Sequence, residues 1–111
     1  MGLTNTPDLL PGTLDLLILR AIAHGPHHGY GIADRIRVAS DDVLLVGESA
    51  LYPALQRLLA GGYAKAEWGS SDNNRRARFY TITPAGRKRL LAERTAYDRM
   101  AAAITRVMQM T

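Results

Sequence analysis

Three helical blocks, a two-stranded hairpin with a basic polar tip, and one long final helix, in that order, predict a mainly α fold with a small β wing. Three observations carry this: leucine-rich stripes at helical spacing, a Gly/Ser/Asp/Asn cluster between two alternating segments, and a Thr-Pro pair opening a closing helix.

The first helix is expected from Thr13 to Ala23. Thr13 serves as cap, and Asp15 in the first turn suits the positive end of the helix dipole. Leu14, Leu17, Ile18, Ala21 and Ile22 repeat at three- and four-residue steps, and Leu16 and Leu19 widen the stripe beyond one face. That width implies a domain core on one side and a partner subunit on the other. His24-Gly25-Pro26 stops the helix. A second helix spans about His28 to Ala39, with Ile32, Ala33 and Ile36 inward, and Val43 to Val46 reads as a small strand or extended connector. Ser49 caps a third helix to about Ala60, with Leu51, Leu55, Leu58 and Leu59 as its buried stripe. Pro53 then falls where its missing N–H costs about one helical bond, and Gly61-Gly62 ends the helix.

Tyr63 to Trp68 and Arg76 to Thr83 form the hairpin strands, joined by a polar loop from Gly69 to Arg75. That loop is longer than a tight hairpin needs. Thr83 caps the last helix and Pro84 takes its first position. At 1.5 Å per residue its roughly 25 residues span about 38 Å. Leu90, Tyr97, Met100, Ala101, Ile104, Val107 and Met108 make an apolar stripe along it that a three-helix domain cannot cover. The stripe calls for a partner helix, so a homodimer is expected, with Leu16 and Leu19 of the first helix joining the interface. The architecture is therefore a winged helix-turn-helix over residues 1–83 plus a long C-terminal dimerisation helix over 84–111.

The 111 residues suffice for one domain, and the absence of cysteine removes disulfides, thiolate metal sites and cysteine nucleophiles together. This fits a reducing cytoplasm, where the protein is expected. No apolar run approaches the ~18 residues of a membrane span, and the N-terminal segment does not read as a signal peptide. The net charge is +4, unevenly spread. Residues 1–56 hold three Arg against six acids, whereas residues 57–111 hold eleven Lys/Arg against four. A basic half suits a polyanionic partner, although a basic helix is often only a solvated face.

In this fold the third helix enters a major groove of double-stranded DNA. Ser49, Tyr52, Gln56 and Arg57 could reach phosphates or base edges from it; the competing reading packs Tyr52 in the core and leaves Arg57 solvated. The wing offers Lys65, Arg75, Arg76 and Arg78, with Asn73 and Asn74 at the tip, and Asp72 as a counter-charge. Tyr63 and Trp68 could stack on a base, but covering the core beneath the wing is the preferred role.

Three segments, LLPGTLDLLILRAIAHGPHHGYGIADRI, GESALYPALQRLLAGGYAKAEW and RRARFYTITPAGRKRL, resemble the PadR family of bacterial regulators over about residues 9–95. His28-Gly29-Tyr30-Gly31 matches the family's entry to helix 2, and Ala50-Leu51-Tyr52-Pro53-Ala54-Leu55 its recognition-helix signature. Phe79 to Gly86 matches its strand-to-helix junction. The chain departs at Ala50, where Gly or a small hydroxyl residue is common, and it has no Trp in the last helix. The resemblance implies a dimeric repressor of the short subgroup with a single C-terminal helix. It also implies that His28, Tyr30, Ser49, Tyr52, Pro53 and Arg57 lie near DNA, with the wing cations alongside. A small-molecule effector is an open partner.

Three rivals are weaker. A winged helix used only for protein contacts leaves the basic wing unexplained. A metal at His24, His27 and His28 lacks a carboxylate at ligand spacing, so no metal or cofactor is expected. An enzyme needs convergent acid and base groups, and no such motif is present.

Overall fold

The computed structural model describes residues 12–111. Its elements run α1 (Thr13–Ala21), β1 (His27–His28), α2 (Gly29–Ala39), α3 (Glu48–Ala60), β2 (Ala64–Ser70), β3 (Arg76–Ile82) and α4 (Pro84–Met108). The mainly helical fold with a small antiparallel wing is the one expected, and α4 begins at Pro84 as its Thr-Pro signal requires.

The core forms where α1, α2 and α3 converge under the sheet. Ile18, Leu19, Ile22, Ile32, Leu51, Leu55 and Leu58 are fully buried, and Tyr80 and Ile82 of β3 close the top. Burying each such aliphatic side chain contributes about 1.5–3 kcal/mol. Leu19 is 0 % exposed, so it is a core residue and not a dimerisation residue. The widened stripe of α1 reflects burial under several elements of its own domain. Leu90 is likewise half-buried against this core, whereas Leu16 stays partly open.

Several local expectations are corrected. Gly12, in the left-handed region (φ 87°), occupies the N-cap of α1 in place of Thr13, and no side chain caps this helix. Pro11 lies outside the described residues. Gly47 is the N-cap of α3, so Ser49 sits inside the first turn, and Pro53 lies correspondingly deeper in the helix. Its ring removes the N–H that would bond the Ser49 carbonyl. Of the two readings of Val43 to Val46, the connector holds rather than the strand; it is entered through Asp41 and Asp42 at positive φ. The wing loop shortens to residues 71–75 because β2 extends to Ser70, while β3 begins at Arg76 as expected.

The sheet has order β1-β3-β2. The two-residue β1 was not anticipated: it is too short to show a period, and it exists because His27 and His28 pair with Tyr80 and Phe79. The end of α3 follows the Gly-Gly signal closely. Gly62 takes the left-handed conformation (φ 77°), its N–H donates to the Leu59 carbonyl, and the Tyr63 N–H donates to the Leu58 carbonyl.

A compact junction launches α4. The Thr83 hydroxyl donates to the Gly62 carbonyl (2.6 Å) and accepts from the Gly86 N–H (3.0 Å), so one side chain both caps α4 and ties it to the end of α3. The Tyr63 carbonyl accepts from the Thr83 N–H (3.1 Å). Gly86 is buried there, and a Cβ added to it would overlap the Tyr63 carbonyl oxygen and approach Ile82 Cγ1 to 2.8 Å. Gly86→Ala is therefore expected to lower stability by about 1–3 kcal/mol, as overpacking does, measured by urea unfolding. Thr83→Ala is expected to cost about 1 kcal/mol through the lost cap; a neutral result in the same assay would show that Pro84 alone sets the start of α4.

Candidate nucleic-acid interface

The start of α2, the first half of α3 and the wing enclose one open groove of about 850 Å³. On the α2 side, the His28 Nδ1 accepts from the Gly31 N–H (3.0 Å), which caps the helix and leaves Nε2 as the proton-bearing nitrogen of the neutral ring. The His28 ring packs edge-on against Phe79 at 5.4 Å and stacks with Tyr30 at 6.4 Å. The cap residue is thus clamped to β3, and Tyr30 projects into solvent with 76 % exposure. His27 carries a lowered pKa, first from burial, then from the Arg35 and His28 charges, which favours its neutral form.

Tyr52 joins α3 to this wall. A Cβ on Gly29 would lie 2.6 Å from the Tyr52 hydroxyl, so only glycine leaves that hydroxyl its place against the start of α2. Burial, with Glu48 and Tyr80 nearby, raises the Tyr52 pKa. It remains a protonated phenol, able to donate a hydrogen bond, at the floor of the groove.

The wing forms the opposite wall. Arg76 and Arg78 lie two residues apart on one face of β3 and flank Trp68, their guanidinium carbons 4.6 and 5.9 Å from its ring. Cation–π attraction and the strand register hold the three as a ladder, Trp68 being the cross-strand partner of Arg78. Trp68 is 60 % exposed, which corrects the expectation that it covers the core; Tyr63 does pack on the core, beneath the Arg89 guanidinium at 4.7 Å. The tip is closed by Ser71. Its N–H donates to the Arg75 carbonyl (2.8 Å), and its carbonyl accepts from the N–H of Asn74, which sits at φ 59°. Asn tolerates that conformation.

Of the residues singled out from the sequence, the groove gathers His28, Tyr30, Tyr52, Arg75, Arg76 and Arg78. Ser49, Pro53, Arg57, Lys65 and Asn74 do not line it. Ser49 is exposed on the first turn of α3, and Lys65 is exposed on β2 opposite Thr81. Arg57 lies at the other end of α3, where its Nη2 donates to Asp15 Oδ1 (2.9 Å) while its side chain stays 57 % exposed. The groove adds Arg35 and Trp68, which the sequence reading left out of the site. Period-2 spacing of Arg76 and Arg78 opposite Trp68 was a usable signal for the ladder. Arg35 had none, because its place depends on how α2 crosses α1, where its Nε donates to the Ala21 carbonyl (3.1 Å).

Arg35, Arg75, Arg76 and Arg78 face only Asp34 and Asp72 across the groove, so its field is positive. Among the described residues no group of three His, Cys, Asp or Glu side chains could hold a metal ion, and no helix is long and apolar enough to cross a membrane. Exposed arginines, an exposed indole and polar ring edges suit a phosphate backbone and base edges.

The chain is similar in sequence and fold to known proteins. Residues 18–92 match the family described as the transcriptional regulator PadR-like family. A transcriptional regulator from Clostridium thermocellum superposes with a TM-score of 0.77 at 30 % identity, covering 86 % of this chain and 92 % of its own. A PadR-like regulator from Bacillus cereus shares the fold at 20 % identity, with a TM-score of 0.77 over 90 % of this chain and 95 % of its own. An uncharacterized protein of Lysinibacillus sphaericus is 30 % identical over 80 residues, 72 % of this chain and 73 % of that one. The matched segment contains α2, α3, the wing and the launch of α4, and the chain belongs to the transcriptional regulator PadR-like family.

Proposed function

We propose that this regulator acts as a homodimeric repressor in the cytoplasm, binding a palindromic operator in double-stranded DNA. The observation that carries the reading is the presence of both a cationic groove and a separate uncovered apolar stripe on α4. Tyr97, Met100, Ile104, Val107 and Met108 are each at least half exposed, with Ala101 between them. A stripe of this length at three- and four-residue steps suits a second copy of the same helix. Leu16 and the far side of Leu90 would border the seam.

Pairing through α4 would set the two α3 helices into successive major grooves, ~34–36 Å apart. Ser49, Tyr52 and the turn at Pro53 would meet base edges and adjoining phosphates. His28 and Tyr30 would approach the same backbone from the start of α2. Arg75, Arg76 and Arg78 would hold the flanking strand, with Trp68 stiffening the ladder, and Lys65 and Asn74 would extend the contact at the wing's base and tip. Arg57, partly held by Asp15, would support α3 from behind. Occupying a promoter in this way excludes polymerase, and an effector that alters the angle between subunits would release the site.

Gel-shift titration across a salt series tests the DNA contact. Replacing Arg75 and Arg76 with Ala removes up to four phosphate contacts per dimer, so the slope of log K against log salt should fall by about 3 to 4. An unchanged slope would place the wing off the DNA. Sedimentation velocity at micromolar concentration should give a species of twice the chain mass, and a monomer there would defeat the pairing of α4.

A further inference from the structure

Asp15 is the one buried charged residue among the described residues, and it belongs to none of the surfaces above. Its two carboxylate oxygens go to different helices. Oδ1 accepts from Arg57 Nη2 of α3 (2.9 Å), and Oδ2 accepts from Arg89 Nη2 of α4 (3.3 Å). Arg89 is held in turn by Glu93, whose Oε2 accepts from its Nε at 2.6 Å, and its guanidinium covers the Tyr63 ring. Burial opposes the Arg89 charge, yet Glu93 and Asp15 together still raise its pKa.

We infer that Asp15 is a positioning residue: through Arg57 and Arg89 it sets the angle between the recognition helix and the C-terminal arm, and so the separation of the two recognition helices in the dimer. The inference rests on the dimeric reading given above. Its physical basis is directional. Apolar packing of α4 on α1 tolerates sliding and rotation, because dispersion contacts have no preferred axis. A buried carboxylate shared by two guanidinium groups does not, since movement of either helix leaves a desolvated charge short of a partner. Among the described residues no buried side-chain nitrogen or oxygen lacks a hydrogen-bond partner, so the network is complete as it stands. A buried ionic cluster is a weak contributor to stability but suits the fixing of one geometry.

The arm amplifies small errors at this point. From Arg89 to Met108 it extends about 28 Å at 1.5 Å per residue. Helices pack about 9 Å apart, so a shift of about 1 Å at Arg89 tilts the arm by about 6°. The far end then moves by about 3 Å, close to one base-pair step of ~3.4 Å. A dimer loosened there would lose its preference for one half-site spacing.

The chain has no cysteine, so Ser49→Cys on the exposed first turn of α3 accepts a single nitroxide per protomer. Pulsed dipolar electron resonance on the full-length protein then reads the distance between recognition helices directly. The unmodified network should give one narrow distance, whereas Arg89→Gln and Asp15→Asn should each shift its mean or widen it by about 3 Å. If both variants keep the narrow distance, the inference is overturned. It is equally overturned if they lower the unfolding midpoint while the folded dimer keeps that distance, because a purely structural role gives that result. Should either variant fail to fold, Glu93→Gln loosens the same guanidinium from a partly exposed position and must widen the distribution; an unchanged distance there overturns the inference too. Absence of any dipolar signal before these changes would defeat the dimer itself, a distinct failure.

Discussion

Burial of α1 is the constraint on which the rest of the structure depends. Ile18, Leu19 and Ile22 are wholly enclosed, with α2, α3 and α4 packed around the same short helix. Three neighbours already surround these nine residues, so little of the helix is left for any other surface, with Leu16 staying partly open. The consequence is a division of labour between helices. Most apolar side chains of α1 go inside the domain, whereas α4 keeps a long uncovered apolar stripe.

That same packing decides how polar groups are used. Asp15 would be a dipole partner on a solvent-facing first turn. With α3 and α4 closing over it, the carboxylate loses its water and requires cations. Arg57 and Arg89 supply them from positions 42 and 74 residues away in the chain. A residue expected to touch nucleic acid is thereby drawn partly into the domain, and the positive field of the groove comes from the wing and from Arg35 instead.

The wing shows a comparable economy. β1 contributes only two residues, yet it fastens the N-terminus of α2 to β3, so His28 joins Tyr30, stacked on it, to Phe79, edge-on to it. The groove wall is therefore continuous from β1 and α2 to β3, which lies far along the chain from both. Gly29 permits the last join by leaving space for the Tyr52 hydroxyl. A transcriptional regulator needs such rigidity because base edges are read at hydrogen-bond distances, where small displacements remove the contact.

The sequence by itself determined the helices, the hairpin and the long arm, because their signals are local: leucines at helical spacing, Gly61-Gly62 past a helix end, and Thr83-Pro84 before one. It also determined that cations would crowd the wing and that α4 would carry an apolar stripe. Tertiary structure decided which groups face what. Leu19 lies inside rather than at a seam, and Trp68 lies outside between two arginines rather than over the core. Asp15 gathers Arg57 and Arg89, and the histidine pair becomes a strand. Each of these depends on how elements cross in space, and side-chain burial follows from that crossing, which no local period in the chain encodes.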